Sequence, residues 1–371
     1  MAPRWLPLSA TVFTLLLLAC CWAEECSTER KKSKGRALIR LPACGEAATN
    51  ATCSRRPLAS QLKSSVTTLL LPGLYSVVLV VGLPANALAL WVLATKTKKY
   101  ASTLFLLNLA GADLLFILVL PFKILYHRRG SDWPFGEPAC RALVALFYGN
   151  MYSSILFLTC ISLDRYVSLV HPFAWRGSWH LSSAAGVCMG VWMAVVLGVT
   201  PLLLIPQSMH LPELNITTCH DVLDVDIENG YLAYYFPFLS ILGFAIPLLL
   251  ITCSYAGVLA QLFSKGGHYG RVVRILALVL LVFVVCFAPS NALLFIQYLQ
   301  PQPECHNQFY VWYTLALALA AFNNCLDPFI YFYVCRDFRT RLWDSLFCSK
   351  GQDRASDKLM KPLKSSDQSQ S

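Results

Sequence analysis

Charge is scarce in this 371-residue sequence. Only 13% of its residues are Asp, Glu, Lys or Arg, against about 25% in a soluble domain. That deficit excludes an ordinary soluble enzyme and a disordered chain. Paired cysteine motifs are missing as well. None of the 15 Cys stands in a CxxC pair or a Cys/His cluster at zinc spacing, and the seven His are dispersed. Their absence argues against a metal centre. No internal repeat is visible, which argues against most secondary transporters.

What is present is apolar sequence, 56% of the chain, in long runs. The runs are Ser64–Thr95, Tyr100–Phe122, Ala142–Leu163, Leu181–Pro212, Asn229–Ser264, Ile275–Pro303 and His306–Cys335. Each can hold the roughly 20 apolar helical residues that cross hydrocarbon. The predicted fold is an all-α, seven-transmembrane-helix bundle. Pro84, Pro121, Pro201, Pro247, Pro289 and Pro328 lie within the runs. In a membrane, neighbouring helices and waters satisfy the carbonyls that proline frees, so kinks rather than breaks are expected.

The net charge of +10 comes from 30 Lys+Arg against 20 Asp+Glu. Cytoplasmic loops explain it better than nucleic-acid binding does. Lys96, Lys98 and Lys99 follow span one, Arg165 and Arg176 follow span three, and Lys265, Arg271 and Arg274 separate spans five and six. Arg336, Arg339 and Arg341 follow span seven. The positive-inside rule puts all of them in the cytoplasm and the amino terminus outside. Arg128 and Arg129 fall on an outer loop, where Asp132 and Glu137 balance them.

The chain ends are polar or processed. Residues 1–23 read as a secretory signal, with an apolar Leu8–Trp22 stretch too short to span. Residues 24–65 read as an exported tail without core periodicity, and 349–371 as a Ser-rich cytoplasmic tail. Asn50 and Asn215 head glycosylation sequons on the outer side. The pairing of Cys26, Cys44, Cys53 and Cys305 does not follow from their order.

Asp113 and Asp327 interrupt apolar runs. Intramembrane carboxylates are costly and mark functional sites. Ser154, Asn323 and Asn324 are the polar residues expected to face them. Such a cluster holds either a sodium ion or proton among oxygen ligands, or a structural hydrogen-bond network.

Gly82-Leu83-Pro84-Ala85-Asn86, Leu109 to Asp113, Asp164-Arg165-Tyr166, Trp192, Pro247 with Tyr255, Cys286-Phe287-Ala288-Pro289 and Asp327-Pro328-Phe329-Ile330-Tyr331 occur in order along all seven spans. As a set they resemble rhodopsin-class G-protein-coupled receptors. Phe287 and Asp327 depart from the residues commonest there, Trp and Asn. Cys219-His220-Asp221-Val222-Leu223, Phe147 to Tyr152 and Ala288 to Asn291 are similar to the proteinase-activated receptors. The resemblance implies a receptor, not an enzyme, and a Cys140–Cys219 disulfide that pins the outer loop over the bundle. It also implies a protease that cuts the tail and a new amino terminus that acts as a tethered agonist.

Lys34-Gly35-Arg36-Ala37-Leu38-Ile39 resembles the cleavage site of the trypsin-activated member, whereas Gly82–Lys96 and Ser162–Phe173 are closer to the fourth member. Cutting after Arg36 would free a tethered ligand beginning Ala37, Leu38, Ile39, Arg40 and Leu41. Its α-amine is mostly cationic at neutral pH. The loop above the expected pocket carries Asp221, Asp224, Asp226 and Glu228, a complementary field. About 30 residues separate Ala37 from span one, a reach of roughly 30 Å and a local concentration on the order of millimolar. Gly35 precedes Arg36 and only Glu46 is acidic in the downstream tail, which favours a trypsin-like serine protease over thrombin. Cleavage after Arg40 or Arg55 would remove the ligand. Pocket candidates are Tyr148, His220, Asp221, Tyr298 and Tyr310. Span seven has no Lys for a retinal Schiff base, and Phe147 and Tyr148 stand where amine receptors place a carboxylate. A receptor of the same fold for a soluble peptide is the alternative.

At the cytoplasmic end the resemblance assigns Asp164, Arg165, Tyr166, Tyr255 and Tyr331 to a G-protein switch. No carboxylate lies between Leu262 and Leu278, so Arg165 has no acidic partner there and basal signalling is expected. Arg336 to Phe347 suits an amphipathic helix on membrane lipid, with Cys348 a palmitoylation candidate. The implied partners are a heterotrimeric G protein of the Gq type and arrestin, the latter through Ser356, Ser365, Ser366, Ser369 and Ser371. The implied location is the plasma membrane.

Overall fold

The structure is a computed structural model that describes residues 62–98, 100–171, 181–212, 214–223, 228–264, 270–299, 308–334 and 336–346. Arg36, the Ala37–Leu41 segment, Asn50, Asp224, Asp226 and Cys348 lie outside the described residues. So do residues 1–61, read above as a signal segment and most of an exported tail.

Among the described residues, seven helices are long and apolar enough to cross a membrane. Span one covers Val66–Thr95, span two Ala101–Arg128, span three Gly136–Val170 and span four Leu181–Leu204. Span five covers Gly230–Ser264, span six Val272–Ile296 and span seven Tyr310–Phe332. A shorter helix, Arg336–Leu346, follows. Phe338 is its buried anchor and packs edge-on against Tyr331.

The prolines act locally, as their chemistry requires. In span one, π-helical turns at Val66–Leu70 and Val78–Gly82 each precede an α-helical stretch that carries Pro72 or Pro84 in its first turn. The wider turn makes room for the proline ring and for the carbonyl that its missing N–H leaves unbonded. Span five repeats the device, with a π-helical turn at Ile241–Ala245 ahead of Pro247. Span two is interrupted after Ile117 and restarts at Leu120 with Pro121 in its first turn. Pro201, Pro289 and Pro328 sit inside continuous helices.

Several boundaries differ from the sequence reading; span three, for one, runs Gly136–Val170 rather than Ala142–Leu163. Span two continues past Phe122 to Arg128, because Lys123 and the arginines lie at its outer end. Span four stops at Leu204 rather than Pro212. Pro206 cannot continue it, and the chain enters an antiparallel hairpin of β1 (Ser208–Leu211) and β2 (Ile216–Cys219). Ser208 pairs with Cys219 and Leu211 with Ile216. Asn215 lies exposed in the turn at φ 50°.

Span three runs through the centre, buried along most of its length. It meets span five in two ring-in-notch contacts. A Cβ at Gly243 would fall 2.6 Å from the Tyr152 ring, and one at Gly257 would fall 2.5 Å from the Tyr166 ring. Both glycines are therefore required by close approach, and they fix the register of the two spans.

Candidate functional site

The outer end of the bundle is closed by the hairpin and held from three sides. Cys140 and Cys219 are disulfide-bonded, with their Cα atoms 5.7 Å apart. Across the hairpin, Thr217 donates its amide to Asp132 (3.0 Å) and accepts from the Trp133 amide (2.7 Å). The third hold is Leu62, fully buried just before span one. Its side chain joins Leu211, Ile216, Val222 and Tyr310 in a small apolar cluster. Its carbonyl accepts from the hydroxyls of Ser131 and Thr67. Leu62 thus packs the start of the described chain against the lid.

Beneath the lid lies a narrow chamber of about 20 Å³, lined by Tyr75, Lys123, His127, His220, Asp221, Tyr310 and Tyr313, among others. Asp221 points inward and is only 7% exposed, and its carboxylate accepts from the Tyr126 hydroxyl at 2.5 Å. The Tyr126 oxygen also accepts from the Cys219 amide. His220 adopts φ 68°, a conformation costly for a branch-bearing residue and persistent only where its surroundings impose it. Its ring links Gln207 (2.6 Å) to Tyr148 (3.3 Å), and Tyr148 meets Tyr313 hydroxyl to hydroxyl at 2.7 Å.

The donor directions of this chain can be assigned. The Gln207 Nε2 faces two carbonyls, of Leu202 and Ile205, so its Oε1 faces His220. The imidazole Nδ1–H therefore donates to Gln207. In the neutral ring Nε2 then accepts from Tyr148, which accepts in turn from Tyr313. Tyr298 is half-buried and stacks on Phe236, which also packs against Tyr148.

All five pocket candidates thus lie at the outer end of the bundle, with His220, Asp221 and Tyr310 lining the chamber, Tyr148 bonded to His220 and Tyr313 of its wall, and Tyr298 linked to Tyr148 through Phe236. Sequence reasoning missed Tyr126, Gln207 and Tyr313. Tyr126 and Gln207 meet their partners across 95 and 13 residues, with no local pattern to mark them.

Deeper in the bundle, Asp113 accepts from Asn150 (3.1 Å), Ser154 (3.4 Å) and Tyr331 (3.5 Å). Asp327 accepts from Asn323 at 2.6 Å. Asn324 donates to Asn150, and Asn86 donates to the Asn324 carbonyl. Asp113 and Asp327 are close enough to influence each other electrostatically. Two ionised carboxylates repel and only accept, so such a pair favours a proton or a cation between them. Among the described residues, the Oδ1 atoms of Asn323, Asn324 and Asp327 are buried without a hydrogen-bond partner. This surplus of acceptor oxygen fits a monovalent cation or a shared proton. Asn150 was not foreseen. Its role depends on which face of span three meets span two, which the sequence alone leaves open.

At the inner end, Asp164 is buried on span three. Ser162 donates to the Tyr255 hydroxyl at 3.0 Å, and Arg165 lies within electrostatic range of Tyr255. Tyr166 lies in the Gly257 notch with its hydroxyl 3.4 Å from the His171 ring. Tyr331 joins the Asp113 cluster instead of reaching toward Tyr255, so the buried carboxylates and the inner tyrosine form one network.

Comparison with known proteins agrees with this architecture. Residues 85–331 match the family described as 7 transmembrane receptor (rhodopsin family). Proteinase-activated receptor 4 of Homo sapiens is 45% identical over 282 residues, covering 76% of this chain and 73% of that protein. Proteinase-activated receptor 3 of Homo sapiens is 43% identical over 276 residues, covering 74% of each. Proteinase-activated receptor 2 of Rattus norvegicus is 39% identical over 297 residues, covering 78% of this chain and 75% of that protein. The chain, a multi-pass membrane receptor and not an enzyme, therefore belongs to the proteinase-activated receptors within the rhodopsin family of G-protein-coupled receptors.

Proposed function

We propose that this receptor is switched on by a trypsin-like serine protease that cuts after Arg36. The new amino terminus, Ala37-Leu38-Ile39-Arg40-Leu41, then folds back as a tethered agonist. The observation that carries this reading is Asp221. It is a carboxylate held inward beneath a disulfide-pinned lid, beside a chamber lined by tyrosine and histidine rings and by Lys123, the one cation an incoming ammonium group would meet among its described lining residues. A buried carboxylate recognises an ammonium group well, because the interaction is stronger where water is excluded. Leu38 and Ile39 suit the aromatic walls. The anchored Leu62 starts the tether over the lid, so the freed segment is confined near its target.

The receptor signals through heterotrimeric G proteins of the Gq type, and arrestin binds its phosphorylated Ser-rich tail. It resides in the plasma membrane with the amino terminus outside, glycosylated at Asn50 and Asn215 and palmitoylated at Cys348. Asp164, Arg165, Tyr166, Tyr255 and Tyr331 form the inner switch. Asp113, Ser154, Asn323 and Asp327 would hold a sodium ion, which would offset the charge of one carboxylate while the other keeps its proton.

The test is a calcium assay with trypsin and with a soluble peptide of residues 37–41. Arg36→Ala is expected to abolish the trypsin response and keep the peptide response. Survival of both would place the agonist elsewhere. A peptide response with no trypsin response in the unmodified receptor would favour a soluble-peptide receptor.

A further inference from the structure

We propose that Glu137 is a positioning residue for the ligand chamber, acting through the lid and touching no ligand itself. The inference rests on the reading of that chamber as the docking site of the peptide that begins at Ala37.

Glu137 lies in the first turn of span three. One carboxylate oxygen accepts from the Gln207 amide at 2.6 Å and the other from the Ser208 amide at 2.7 Å. These are successive backbone donors where the chain leaves span four and enters β1. The first oxygen also accepts from Arg141 Nε at 2.7 Å, one turn along the same helix. Arg141 is buried and reaches the Leu203 carbonyl at 3.3 Å. A charged pair thus joins the outer ends of spans three and four to the root of the hairpin. Charge-assisted bonds of this geometry are the strong class, and a bidentate carboxylate fixes direction as well as distance.

The clamp continues into the chamber through Gln207. Gln207 is fully buried. Its carbonyl accepts from the His220 amide at 2.7 Å, and its side chain accepts from the His220 ring. Two bonds from one residue hold His220 at φ 68°. In that conformation its ring reaches Tyr148, and the next residue, Asp221, turns inward to Tyr126. The disulfide holds the hairpin one residue before His220. It restrains the position of Cys219 but not the rotation of the residues that follow. Glu137 supplies the second fixed point that sets this rotation.

Glutamine at position 137 would keep the shape and lose the function. It offers one acceptor oxygen, and its NH2 would face a backbone N–H or the guanidinium. In full-length receptor carrying Arg36→Ala, Glu137→Gln is expected to shift the soluble 37–41 peptide to higher concentration by on the order of 10- to 100-fold. The maximal response at matched surface expression should be kept. In a double-mutant cycle with His220→Phe the two losses should not add, because both act through the same ring. Full additivity, or an unshifted potency in Glu137→Gln, would overturn the proposal. If Glu137→Gln fails to reach the surface, Gln207→Leu removes the side-chain bond to the His220 ring and leaves the carboxylate on the two amides and the backbone bond to the His220 amide. The same rightward shift is expected, and its absence counts against the proposal equally.

A peptide that is silent on the Arg36→Ala parent would count against the tethered-agonist reading alone. Hydrogen exchange then decides the clamp, because it needs no agonist. Glu137→Gln should speed exchange of the segment 207–221 in purified receptor and leave span three unchanged. Unaltered exchange in that segment would overturn the clamp.

Discussion

Tyr152 on span three donates its hydroxyl to Asn291 on span six at 3.0 Å. Asn291 in turn donates to the Phe287 carbonyl, one turn back and beside the Pro289 kink. Tyr152 can sit there because Gly243 leaves room for its ring. One tyrosine thus packs on span five and bonds to span six. Spans three and five are locked by sterics, whereas this tie to span six is a single neutral hydrogen bond, which is readily exchanged.

Removing that bond should favour movement of span six. Tyr152→Phe keeps the ring in its notch and deletes the hydroxyl. A net loss of about 1 kcal/mol corresponds to roughly a fivefold shift in a two-state equilibrium. Basal inositol phosphate production in the Arg36→Ala background should rise several-fold, by up to that factor. An unchanged basal level would remove Tyr152 from the switch.

The notch itself should tolerate no side chain. Gly243→Ala brings a methyl group against the Tyr152 ring, and overpacking of this kind costs about 1–3 kcal/mol. A lower thermal unfolding temperature is expected in purified receptor. Gly190→Ala is the control, since nothing lies within 4 Å of its added carbon, and it should unfold like the parent.

Leu62 ties the tail to the lid. Leu62→Asp would place a carboxylate in the cluster of Leu211, Ile216, Val222 and Tyr310, where burial of an unpaired charge is costly. The 37–41 peptide should lose potency by about tenfold or more, given the 2–5 kcal/mol typical of losing a buried Leu. Leu62→Met, of similar volume, should behave like the parent. Equal potency for both variants would mean that the tail anchor does not shape the chamber.

The carboxyl pair gives a cation test. Asp327→Asn removes one carboxylate of the pair, so no proton or cation is required between the two side chains. Thermal stability of the parent should increase when potassium is replaced by sodium, and the variant should respond much less. Equal stabilisation of both by sodium would remove Asp327 from a cation site.

The sequence disclosed what depends on local chemistry. Charge-poor runs announced the spans, and Asp113 and Asp327 stood out because a carboxylate in such a run is costly. Cys140 and Cys219 were marked by the family pattern. What stayed hidden depends on helix rotation and on backbone partners. Asn150 meets Asp113 only because of how span three turns toward span two. Glu137 serves backbone amides 70 and 71 residues away, and any residue type supplies an amide. The hairpin was obscured because Leu202 to Leu211 extends the apolar run of span four, and Pro206 was the signal that could have separated them. The cleavage site and the agonist segment are legible only as sequence, so the proposed activation must be tested by function.

The most direct test is the trypsin response of a receptor whose exported tail begins at Pro42, downstream of the agonist segment. It should reach the surface, ignore trypsin and respond fully to soluble 37–41 peptide. A trypsin-evoked calcium signal equal to that of the full-length receptor would contradict a tethered agonist at Ala37.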